Sequence, residues 1–157
     1  MKIKIIFLAI VLQFSAAAFA NQYLFDSYHV DSIYKGKNHS FSESPSGNNL
    51  VDSIRIKISK MPPNFAGHYT IYTFGCGGGA RCGEIYDVNT GKVISGLPNA
   101  YLVNDFDLSF KKDSSLIIIS GTSADAEYDK DNKKTNPTYR ERYYNFKDGV
   151  LVLLSEK

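Results

Sequence analysis

The stretch Asn64-Phe65-Ala66-Gly67-His68-Tyr69-Thr70-Ile71-Tyr72-Thr73-Phe74-Gly75-Cys76-Gly77-Gly78-Gly79-Ala80-Arg81-Cys82 decides how the rest of the chain is read. From His68 to Phe74 it is rich in β-branched and aromatic residues, the composition of a half-buried strand. That strand feeds directly into a glycine-rich loop bracketed by the two cysteines of the chain. Three of the five residues between Cys76 and Cys82 are glycine, which lets the backbone turn tightly enough to bring the sulfurs together. In an exported chain two cysteines most economically make one disulfide. A loop this short gains only about 2 kcal/mol from closure, so the bond is suited to fixing the shape of the loop rather than holding the whole fold.

Working outward towards the C-terminus, strands recur at regular spacing after Pro62-Pro63. Residues 68–76 form the first and 83–88 the second, followed by a hairpin turn at 88–92 and a return over 92–94. Residues 105–110 alternate Phe106, Leu108 and Phe110, 111–115 make a turn, and 116–119 are continuously apolar. Residues 142–146, a turn at Lys147-Asp148-Gly149 and 150–154 close the chain as a hairpin. The segment 121–139 is polar and charged and reads as one long irregular connection.

On the N-terminal side, 35–49 is rich in Ser, Gly and Asn and reads as a loop. Residues 23–25 and 28–30 suggest a first short strand. Residues 49–60 satisfy two templates. Ile54, Ile56 and Ile58 alternate as in a strand, whereas Leu50, Val51, Ile54, Ile58 and Met61 share a helical face, with Asn48 or Asn49 as N-cap and Pro62-Pro63 as the stop. The balance tips slightly to a short helix. The expected fold is mainly β, at the margin of α+β, an antiparallel meander with one short helix and one disulfide. The unit from Leu108 to Ile119 resembles the strand–turn–strand of a propeller blade. A complete propeller needs at least four blades, so the chain can build only a partial one.

Residues 1–20 read as a signal peptide. Lys2 and Lys4 form a positive start, Ile5 to Leu12 an apolar core, and Ala18-Phe19-Ala20 a small-x-small site for cleavage after Ala20. The apolar run is shorter than the roughly 20 residues a membrane span needs. Residues 21–157 are then expected to be a single β-rich domain, exported to the periplasm or secreted, with no transmembrane segment after cleavage. Without Lys2 and Lys4 the formal charge falls from +2 to zero, which leaves no electrostatic footprint for nucleic acid.

The run Asn64-Phe65-Ala66-Gly67-His68-Tyr69, followed by Gly75-Cys76-Gly77 and a second cysteine, is similar to a family of small exported proteins of Gram-negative bacteria that share an NFAGHY…GCG…C signature. The resemblance takes in Tyr86-Asp87-Val88-Asn89-Thr90-Gly91-Lys92-Val93 and ends near Asp113-Ser114, about half of residues 21–157. Relatives often carry Trp where this chain has Phe74, and Thr-Gly or Thr-Ser where it has Gly78-Gly79. The resemblance implies an exported single-domain protein and no particular activity. By architecture alone, some periplasmic immunity proteins also look like partial propellers and plug a toxin's active site with a loop.

The residues offer little for catalysis. Eight strand positions put His68 and Cys76 roughly 26 Å apart, beyond the reach of a Cys–His pair or a shared metal. Asp125, Glu127, Asp129 and Asp131 alternate like a calcium loop but lack its glycine and terminal glutamate. Asp105 and Asp107 flank Phe106 and suit an ordinary polar strand face better than a carboxylate pair. No catalytic residue, metal or cofactor is therefore assigned. Gly67, His68 and Tyr69 are expected to be structural, fixing how the chain enters the sheet. The candidate binding surface is the loop of Gly77, Gly78, Gly79 and Arg81, with Tyr72 and Phe74 at its base. The expected function is an exported binding or inhibitor-type protein whose partner is another periplasmic protein, at its sharpest an immunity protein against a cell-wall-degrading toxin. The alternatives are a small envelope hydrolase and a structural envelope protein without a discrete ligand.

Overall fold

Among the described residues, eight of the ten strands fall into two four-stranded antiparallel sheets, and the alternation of side chains along them builds three apolar layers. A computed structural model describes residues 24–128 and 131–157. The expected signal peptide and its cleavage site lie outside the described residues. The first sheet is formed by β1 (Tyr69–Gly77), β2 (Ala80–Asp87) and β3 (Lys92–Gly96), with the short β4 (Tyr101–Leu102) pairing β2 beyond the end of β3. The second has the order β10-β9-β6-β5, from β5 (Asp107–Phe110), β6 (Leu116–Thr122), β9 (Tyr139–Lys147) and β10 (Val150–Glu156). The mainly β, antiparallel reading of the sequence is what the chain adopts.

The two sheets face each other across a core of Ile71, Ile85, Tyr101, Ile117, Ile119, Tyr144 and Phe146, sealed by Phe65. Strand β6 explains its own continuous apolar run. Ile117 and Ile119 point into this core, while Leu116 and Ile118 point the other way, onto Phe25, Leu24, Tyr28 and Tyr143. The segment that covers that outer face is not the strand suggested by residues 23–25 and 28–30, of which residue 23 lies outside the described residues. Residues 24–26 are helical and only His29 makes an isolated bridge, to Ser114. Ser114 Oγ donates to the carbonyls of Phe25 (2.8 Å) and Tyr28 (3.2 Å), so the main chain here docks onto a turn instead of extending a sheet.

The other outer face, on the first sheet, is covered by α1 (Asn49–Ile58). Asn48 caps it, its Oδ1 accepting from the backbone N–H of Leu50 at 3.1 Å and Val51 at 3.3 Å. Ile54 and Ile58, one turn apart, pack on Tyr72, Tyr86 and Val88, whereas Ile56 is left 52% exposed. Helical spacing, not strand alternation, therefore decides which isoleucines are used. Phe41, isolated in the sequence, joins this layer.

The segment 121–139 is less irregular than its composition suggests. Strand β6 runs through Thr122, β9 begins at Tyr139, and a small ribbon of β7 (Glu127–Tyr128) and β8 (Lys134–Thr135) stands between them. Asp105 lies in a turn before β5 and takes up Thr122, accepting from its N–H at 3.2 Å and its hydroxyl at 2.5 Å. The expected strand over 105–110 thus begins only at Asp107, and the two aspartates do not share a strand face.

Candidate functional site

Chain geometry first accounts for the NFAGHY run. Asn64 brackets Ile71 like an extra strand residue, its Nδ2 donating to the Ile71 carbonyl at 3.0 Å and its Oδ1 accepting from the Ile71 N–H at 2.8 Å. Phe65 is fully buried. Gly67 adopts φ +83°, donates to the Lys112 carbonyl at 2.7 Å and accepts from the Tyr34 N–H at 3.0 Å. A side chain there would collide with the Ser32 carbonyl oxygen. His68 stacks on Tyr69 with ring centroids 4.0 Å apart, and its Nε2 lies 3.9 Å from Asp87 Oδ1. Asp87 in turn caps the β2–β3 turn, accepting from the Asn89 N–H at 2.8 Å and the Thr90 hydroxyl at 2.9 Å. Gly67, His68 and Tyr69 all lie at this junction between chain segments.

The β1–β2 hairpin projects from the end of the first sheet. Gly77 pairs with Ala80, and the two residues between them, Gly78 and Gly79, have φ of +57° and +73°. Two positive φ values at the centre of a two-residue turn match the right-handed twist of the strands and call for glycine. Gly75, Cys76, Gly77, Gly78 and Gly79 are all exposed. The register slips between Gly75 and Gly77, and Cys76 sits in that bulge, bonded to Cys82 with the Cα atoms 5.7 Å apart. The disulfide thus pins the bulge that bends the hairpin.

Beside the hairpin lies a cleft of about 660 Å³. One wall is Phe74, Cys76, Gly77, Gly78, Ala80 and Cys82; the other is the chain from Gly96 to Ala100 together with Ala124 and Asp125. The opposing wall exists because β2 changes partners: it pairs with β3 up to Gly96 and with β4 from Tyr101, and Leu97-Pro98-Asn99-Ala100 detours between them. Ala100 is held out by hydrogen bonds to Ala124 and Asp125, the latter from its N–H to Oδ2 at 3.0 Å. Among the described residues, Glu84 and Asp125 are the charged residues of the lining, and no basic side chain joins them.

Glu84 is held by a cluster that begins on the helix. Arg55 donates to it twice, Nε to Oε2 at 2.9 Å and Nη2 to Oε1 at 2.6 Å, and the Tyr72 hydroxyl donates to Oε2. Burial, reinforced by that carboxylate, keeps the Tyr72 hydroxyl protonated far above the ordinary tyrosine range. The Glu84 bond likewise strengthens the hold of Arg55 on its proton. Arg55 also lies over the Phe41 ring, 5.6 Å from its centroid.

The structure therefore divides the residues singled out in the sequence. Cys76, Cys82, Gly77, Gly78 and Phe74 line the cleft. Gly79 completes the turn outside that lining. Tyr72 is only 7% exposed and works beneath the cleft as a partner of Glu84, not as contact area. Arg81 lies opposite Gly75 and beside Tyr101, on the strand face away from Cys82. It is partly exposed and forms no ion pair among the described residues. The sequence reading missed Glu84, Asp125 and the 96–100 wall. Pro98, which a continuing strand would not tolerate, was the available signal for the detour.

Comparison of the chain with protein-family models, curated proteins and solved structures gave no match. What fold and site define is a class by architecture, a two-sheet β-protein with a disulfide-pinned hairpin forming one wall of an open cleft. Among the described residues no helix is long and apolar enough to cross a membrane.

Proposed function

We propose that this is an exported binding protein of the inhibitor type, which docks another periplasmic protein on the β1–β2 hairpin and the cleft beside it. One observation carries the reading: the exposed hairpin is fixed in shape by a disulfide and forms one wall of a cleft of about 660 Å³. A pre-shaped loop loses little conformational freedom on binding, which favours affinity. The apolar walls and acidic lining suit a partner loop that brings a basic side chain. An immunity protein against a cell-wall-degrading toxin is the sharpest form of the proposal. The signal-peptide reading of residues 1–20 and the resemblance carried by Asn64–Tyr69 support export.

The test is a pull-down from periplasmic extract with residues 21–157, followed by mass spectrometry. The expected result is one stoichiometric partner that is lost when Cys76–Cys82 is reduced and weakened about tenfold by Asp125→Asn, the order expected of an interface anchor. Arg81→Ala reports separately on the far face of the hairpin. A partner retained equally well after reduction and with Asp125→Asn would remove the hairpin and cleft from the proposal.

A further inference from the structure

The sheet β10-β9-β6-β5 ends on β10, and among the described residues no further strand pairs with its outer edge. Edge strands escape pairing with other chains by being short, charged or covered. Strand β5 has four residues and opens on Asp107, β3 has five and opens on Lys92, and β1 is clasped at Ile71 by Asn64. Strand β10 has seven, and no charge or proline interrupts Val150 to Ser155. Val150, Val152, Leu153 and Leu154 are 43% to 57% exposed. The turn before β10 fixes which backbone groups face out. Its two residues, Asp148 and Gly149, have φ of +51° and +80°, which makes Lys147 and Val150 a hydrogen-bonded pair. Alternation then turns the N–H and C=O of Val152 towards β9, and those of Leu151 and Leu153 outward. In agreement, Phe146, opposite Leu151, donates away from β10, to the Ser115 carbonyl at 2.9 Å.

We propose that β10 is a dimerisation edge, which pairs antiparallel with β10 of a second copy of this chain. The edge is complementary to itself. With a two-fold axis at Leu151, the outward groups of Leu151 bond to their own equivalents, and those of Leu153 reach Gly149 of the second copy. Val150 then faces Val152 of the second copy, and the reverse, in the close non-hydrogen-bonded pairs where side chains touch best. Leu153 passes over Gly149 of the second copy, which has no side chain, towards Ile94 of that copy. Ile94 is 37% exposed and lies beside Gly149 in each chain. No charge falls within the paired run. Lys147-Asp148 at one end and Glu156-Lys157 at the other each carry one charge of either sign, so antiparallel approach opposes no net charge. The slip in β10 between Leu153 and Ser155 lies beyond the paired residues. A strand of another protein could use the same backbone groups, but the match of apolar side chains and neutral ends favours a second copy. This inference does not rest on the hairpin cleft.

The experiment is sedimentation equilibrium on the protein purified in the form the cell exports, from about 5 µM to about 1 mM, where even a millimolar affinity registers. It is joined by amide hydrogen exchange read by NMR at the two ends of that range. The expected result is a reversible monomer–dimer equilibrium in which the amides of Leu151 and Leu153 gain protection with concentration. The Val152 amide, already bonded to β9, should stay protected throughout. Val152→Lys sets a charge against Val150 of the second copy at two places and should weaken the dimer at least about tenfold. Leu153→Pro removes an outward N–H that β9 does not use and should weaken it similarly. Circular dichroism of each variant at low concentration should match that of the parent. A protein that stays monomeric to about 1 mM overturns the proposal, and leaves the edge to a strand of another protein. So does a dimer that forms equally well in every variant that keeps the parent's fold, or one that leaves exchange at Leu151 and Leu153 unchanged.

Discussion

Arg55 on the helix grips Glu84 on β2 through two hydrogen bonds, of 2.9 and 2.6 Å, with each side chain 14% exposed. This ties the outer layer to the cleft, because Glu84 lines the cleft while Arg55 packs over Phe41. Removing the cation leaves a largely buried carboxylate with, among the described residues, only Tyr72 donating to it. Arg55→Ala should therefore cost about 3 kcal/mol, the lower end of the loss from breaking a buried pair. Arg55→Lys should recover only part of this, because an ammonium cannot make the two parallel bonds. Chemical denaturation of the three proteins checks it, and a loss below about 1 kcal/mol for the alanine variant would show the pair to behave as a surface bridge.

Six tyrosines, at positions 69, 72, 86, 101, 143 and 144, hold their protons more tightly than free tyrosine, in each case chiefly because burial disfavours the phenolate. In the unfolded chain these groups ionise near pH 10. Above that pH the unfolded state sheds protons that the folded state keeps, so the linkage works against folding as pH rises. Their contribution should be fully present below about pH 10 and lost progressively above it. Circular dichroism and tyrosinate absorbance followed together in an alkaline titration should show the buried tyrosines ionising in step with unfolding. Early ionisation of all eleven tyrosines in a still folded chain would contradict this.

How much was legible in the sequence follows from the range of the interactions involved. Strand β6, the hairpin pinned by Cys76 and Cys82 and the terminal hairpin are specified by neighbours a few residues apart, and periodicity shows them. The helix was a near tie until Asn48 capped it and Ile54 and Ile58 found Tyr72, Tyr86 and Val88, which are distant in sequence. Residues 24–30 were misread because tyrosine and valine favour strands locally, whereas Ser114 and Phe25 decide the outcome across more than 80 residues. The cleft was invisible for the same reason. Its second wall depends on β2 exchanging β3 for β4, a feature of topology rather than of any local pattern.

Two glycines with the same backbone hand separate structure from site. Gly67, at φ +83°, would drive a new Cβ into the Ser32 carbonyl oxygen, and both its backbone polar groups are bonded, to Lys112 and Tyr34. Gly78, at φ +57°, has nothing within 4 Å of where a Cβ would go. Alanine at Gly78 pays only left-handed strain, about 1 kcal/mol. Alanine at Gly67 pays that strain and must also push apart two chain segments, so about 2–4 kcal/mol is expected. Melting curves of the two variants should therefore differ clearly, with Gly67→Ala the less stable. Because Gly78 lines the hairpin cleft, its variant should stay folded yet impair capture of the partner, by adding a methyl group to the docking wall. Equal melting temperatures would show that the Ala66–Gly67 turn yields more easily than its contacts imply. A Gly78→Ala protein that binds normally would place the docking surface elsewhere than on this face of the hairpin.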